Sequence, residues 1–88
     1  MDQSNIVIQS AKALKKPQVE VTATDGKIYI VDLNDYSKVK CFPTSQSEWE
    51  KVGISTYGFN LTWSSRFEVH VDQLIDAAIS STDIQLHA

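Results

Sequence analysis

From Gln18 to Thr24 the chain alternates strictly, with Val19, Val21 and Ala23 on one side and Gln18, Glu20, Thr22 and Thr24 on the other. A period of two places the two sets on opposite faces of a β-strand, so this segment reads as a strand with one buried face. Asp25-Gly26 follows, a dipeptide favoured in two-residue hairpin loops because both loop positions need positive φ. Lys27 to Leu33 then returns as the partner strand. Its Tyr29, Val31 and Leu33 alternate with Ile28 and Ile30, so both faces carry apolar groups and a central place in the sheet is expected.

A shorter β-branched run, Ile6-Val7-Ile8, predicts a first strand, followed by a lysine-rich connection from Ala11 to Lys16 that Pro17 closes. Asn34 to Cys41 predicts a helical turn with Tyr36 and Val39 pointing inward. Ser45-Gln46-Ser47-Glu48 fits a capping box, in which the Ser hydroxyl and the Glu carboxylate each satisfy a free amide of the first helical turn. The helix it opens is expected to run from Gln46 to Val52, to turn Trp49 and Val52 inward, and to stop at Gly53.

Ile54-Ser55 begins a second expected hairpin with Tyr57-Gly58 in its turn, after which Phe59, Leu61 and Trp63 form an apolar face. Beyond a bend at Ser64-Ser65-Arg66, the residues Val71, Leu74, Ile75, Ala78 and Ile79 fall on one helical stripe, with Asp72, Gln73 and Asp76 facing water. The expected fold class is therefore α+β. A small antiparallel sheet of two hairpins plus an N-terminal strand would be covered by a C-terminal amphipathic helix and one short helix. Residues 1–80 would make a single α+β domain and residues 81–88 a C-terminal tail.

Composition narrows the function more than the fold. At 88 residues, with 42% hydrophobic and 22% charged, the chain suits one globular domain with a thin core, which leaves room for a homodimer. The net charge of −3 opposes direct attraction to phosphate backbones. Lys12, Lys15 and Lys16 are the one basic cluster, and they read as a solvated turn. A single cysteine, Cys41, excludes an internal disulfide and suits a reducing compartment. With no apolar run approaching ~18 residues, a cytoplasmic protein without a membrane partner is expected.

Two segments carry a family likeness. The Asp-Gly turn reads TDGKIYIVDL from Thr24 to Leu33, and further on Gly58, Trp63, Glu68, Val69, His70 and Leu74 follow at matching places, behind the segment SEWEKVG. In these residues the chain resembles a bacterial family of small proteins catalogued as domain of unknown function 2442, over roughly Ile6 to Ile75. Ser64 stands where that family has Pro, Glu68 where it has Asp, and His70 where it has Ser or Asp. The resemblance implies a small α+β domain. It also implies a setting in which members sit beside a small partner protein in toxin–antitoxin-like pairs, some of them joined to helix-turn-helix domains.

Cys41, His70, Asp72 and His87 are the only residues available for nucleophilic or metal chemistry, and none lies in a recognisable motif. His70 stands where a helix N-cap belongs, and Glu68 just ahead of it suits the positive end of a helix. Asp32 and Asp35 flank a turn and suit local backbone hydrogen bonds. No enzyme, cofactor or metal is expected. The core is too small to take Tyr29, Tyr36, Trp49 and Tyr57 together.

The candidate partner-binding residues are therefore Tyr36, Trp49 and Tyr57, with a core place for Trp49 an equal alternative, and the acids Glu68, Asp72 and Asp76. The expected function is a small acidic protein-binding module, antitoxin-like or inhibitory, with a protein partner. The alternatives are a nucleic-acid-associated transcriptional regulator and a phage-type inhibitor of a nucleic-acid enzyme whose acids imitate phosphates.

Overall fold

The computed structural model describes residues 6–64 and 66–83. Their elements run β1 (Ile8–Ala13), β2 (Gln18–Ala23), β3 (Lys27–Asp32), α1 (Gln46–Trp49), β4 (Gly53–Ile54), β5 (Asn60–Thr62), β6 (Glu68–His70), α2 (Val71–Asp76) and β7 (Ala78–Asp83). A 3-10 turn, Asn34–Tyr36, follows β3. The strands form two antiparallel sheets, ordered β1-β2-β3-β7 and β4-β5-β6.

The expected α+β class is thereby corrected to a mostly β architecture with two short helices. Among the described residues no C-terminal amphipathic helix covers the sheet. The helix stops after six residues at Asp76, and the chain continues as β7 against β3, through the positions 81–83 where a tail is expected. The physical cause is the open side of β3. A central strand needs hydrogen-bonding neighbours on both edges, and the β-branched and hydroxyl residues of Ile79-Ser80-Ser81-Thr82 are poor helix formers that suit an extended strand. Ile79 is left without a register partner where the ladder shifts, and it is 61% exposed, which breaks the helical stripe. Residues 84–88 lie outside the described residues.

The first strand is displaced as well. It pairs Ala11 with Val21 and Ala13 with Val19, so the stretch expected as a loop is the strand itself. The β2–β3 hairpin follows the alternation closely. Val19, Val21, Ala23, Tyr29, Val31 and Leu33 are all buried.

Two stacked tryptophans join the sheets. The rings of Trp49 and Trp63 lie 4.8 Å apart at 21°. Trp49 Nε1 donates to Gln18 O at 2.7 Å, tying α1 to the four-stranded sheet, and Trp63 Nε1 donates to Trp49 O at 2.9 Å, tying the three-stranded sheet to α1. Phe42 and Phe67 pack against this pair. Ser45 caps α1 by accepting from Glu48 N–H at 3.1 Å. The Glu48 carboxylate turns to Thr44 instead of completing the box. Gln46 fastens the helix to the β1–β2 loop, accepting from Lys16 N–H and donating to Leu14 O.

At the β2–β3 turn, Gly26 N–H donates to Ala23 O, and Gly26 alone takes positive φ (85°) while Asp25 does not. The loop is thus one residue longer than the expected two-residue turn, with the left-handed position last. Asp25 reaches back to Lys27 N–H and accepts from the Tyr29 hydroxyl. Burial first, then the hydrogen bond to Asp25 and its charge, push the Tyr29 phenol up to about 12. A pKa raised in the folded state stabilises below the ordinary value and loses that contribution as pH rises through the folded one. Stability in urea is therefore expected to fall between about pH 10 and 12, and the part of that fall absent from Tyr29→Phe measures this group.

Candidate functional site

The β4–β5 hairpin carries Tyr57 and Phe59 on either side of Gly58. They are 76% and 42% exposed. Alternation with Leu61 and Trp63 places Phe59 in the core, yet the strand begins only at Asn60, and Phe59 lies at the margin of the sheet. The register pair Asn60–His70 and the bond from Val71 N–H to Phe59 O bring Phe59 beside His70. A continuous exposed row results. Tyr57 and Phe59 have ring centroids 6.4 Å apart, and Phe59 and His70 are stacked at 6.4 Å and 9°.

Asp72 ends the row. Its Oδ2 lies 3.7 Å from His70 Nδ1, which also accepts from Asp72 N–H at 3.2 Å. His70 therefore caps α2, with Gln73 Oε1 accepting from His70 N–H in return. The two roles expected separately for His70 and Asp72 meet at one helix start.

A second concavity, a groove of about 380 Å³, lies between the 3-10 turn region and the β5–β6 hairpin. Tyr36, Val39 and Phe67 are the apolar part of its lining, and Cys41, Arg66, Glu68 and Gln73 complete it. Tyr36 is half-buried, and its ring makes an edge-to-face pair with Phe67 at 6.1 Å. Val39, expected inward, is 47% exposed.

The six candidate residues thus separate. Tyr36 and Glu68 share the groove, Tyr57 and Asp72 share the aromatic row, and Asp76 lines a different depression of about 550 Å³ together with Asp32 and Asp35. Trp49 is corrected to a fully buried core residue, because its indole fills the space between the sheets. Phe59, expected in the core, is a surface residue, whereas His70 is the helix cap it is expected to be; neither His70 nor Arg66 is among the expected contact residues. For Phe59 the period-two signal points the wrong way, while for Arg66 a polar bend ending in a bulky cation is the only hint.

A scan of protein-family models, a search of curated proteins and a search of solved structures each find no match to this chain. The residues themselves therefore carry the functional reading. Among the described residues no group of three or more His, Cys, Asp or Glu side chains is placed to hold a metal ion, and no helix is long and apolar enough to cross a membrane. Two of the three clustered lysines have neighbours of their own. Lys12 stands across the ladder from Glu20, and the Lys16 ammonium lies 5.3 Å from the centre of the Phe42 ring. His87 lies outside the described residues.

Proposed function

We propose that this chain is a small acidic protein-binding module whose contact surface is the row Tyr57–Phe59–His70 with Asp72 at its end. The observation carrying this reading is a row of exposed rings, Tyr57 tilted against Phe59 and Phe59 stacked on the His70 imidazole, that ends beside a carboxylate. Exposed aromatic rings supply large rigid contact area, and they attract cations over their faces. Together with the net charge of −3, this favours a protein partner that presents Arg or Lys to the rings and to Asp72. An antitoxin-like or inhibitory place in a gene pair rests on the family resemblance alone.

The test couples capture to a variant. Wild-type chain at near-physiological salt is expected to retain a specific basic protein that the double variant Tyr57→Ser, Phe59→Ser loses. The variant's melting temperature should change little, since exposed side chains usually matter by about 0.5 kcal/mol or less. Equal capture by both proteins, or no specific partner at all, would sink the reading.

A further inference from the structure

The β5–β6 turn repeats the hairpin geometry of the β2–β3 turn with one difference. Arg66 N–H donates to Trp63 O and Trp63 N–H to Phe67 O, and Arg66 holds the left-handed position (φ 74°) that Gly26 fills in the other hairpin. It is the single residue other than glycine with positive φ among the described residues. A side chain there is strained by the close approach of Cβ to the backbone, and glycine or asparagine is the usual occupant. The exposed guanidinium has no ion pair or side-chain hydrogen bond among the described residues, although Glu68 lines the same groove.

We infer that the Arg66 groove is a second binding site, which takes an acidic segment of a protein with an apolar residue beside its carboxylate. The carboxylate meets the Arg66 guanidinium, whose planar fork matches two oxygens at once. The neighbouring apolar side chain lies against Tyr36, Val39 and Phe67. Lys38 and Lys40, exposed on either side of Val39, add positive charge next to this groove residue on a chain of net charge −3. Glu68 is the one carboxylate on the groove lining and opposes such a ligand, which fixes the sign of a second variant.

Selection of a phage-displayed library of random short peptides on the immobilised full chain is expected to enrich sequences in which Asp or Glu adjoins Leu, Ile or Phe. A selected peptide, followed by fluorescence anisotropy, should bind Arg66→Gly roughly tenfold more weakly or worse. The same variant should melt above the wild type, because the left-handed strain is gone. Glu68→Gln should bind the peptide more tightly. The Tyr57→Ser, Phe59→Ser variant should bind it as wild type does, so the groove and the aromatic row stand or fall separately. Selected sequences without acidic enrichment, or an affinity indifferent to Arg66→Gly, would overturn the inference. A lower melting temperature for Arg66→Gly would do so too, by giving Arg66 a structural role.

Discussion

Trp49→Ala is expected to remove most of this chain's stability and leave it marginally folded at room temperature. The indole is fully buried, stacked on Trp63 and bonded through Nε1 to Gln18 O. Removing so large a buried ring costs about 3–5 kcal/mol. A whole domain of this kind has about 5–15 kcal/mol of stability, and a short chain tends to the lower end. The loss also spreads, since Trp63 is left facing a cavity, although the backbone carbonyl that accepts from its Nε1 remains. Trp49→Phe separates the parts. It keeps a ring in the stack and removes the donor, so a loss of about 1–3 kcal/mol is expected. Urea denaturation followed by near-ultraviolet circular dichroism measures both, and a loss below about 1 kcal/mol for Trp49→Ala would show that the two sheets do not depend on the stack.

What the sequence made legible follows from the range over which each signal acts. The strict alternation of Gln18–Thr24 and Lys27–Leu33 is local, and both strands form with the expected faces buried. The Ser45 cap is local too, and it forms. The C-terminal helix failed at a long-range step. Its stripe is real through Ile75, but the open edge of β3, nearly fifty residues earlier in the chain, recruits Ala78–Asp83 as a strand. No window of the sequence contains both partners. The same holds for the candidate sites. Tyr57 and Asp72 are legible as exposed residues, whereas their union through Phe59 and His70 needs the β5–β6 register. Trp49 could be weighed only as core or surface until Gln18 O was seen to take its donor.

Gly58→Ala is expected to be far more damaging than Gly26→Ala, although both glycines have nearly the same backbone conformation (φ 79° and 85°). A Cβ at Gly26 meets nothing within 4 Å, so that substitution carries only the left-handed penalty of about 1–2 kcal/mol. At Gly58 a Cβ would lie 2.9 Å from Ile8 O and 3.2 Å from Val7 Cβ. Neither neighbour yields easily. Ile8 is buried and its N–H donates to Gly58 O at 2.7 Å, while Val7 O accepts from Thr24 N–H, so the start of β1 is held by both hairpins. Overpacking of this kind costs typically about 1–3 kcal/mol more, for a total near 2–5 kcal/mol. The difference between the two variants in urea denaturation isolates the steric part, because the conformational part is common to both. The consequence reaches function, since the contact that forbids a side chain at Gly58 is the one that fixes Tyr57 and Phe59 in place. A folded Gly58→Ala chain should therefore bind the partner of the aromatic row more weakly even below its melting transition, and equal stability of the two alanine variants would mean that β1 does not hold the hairpin tip.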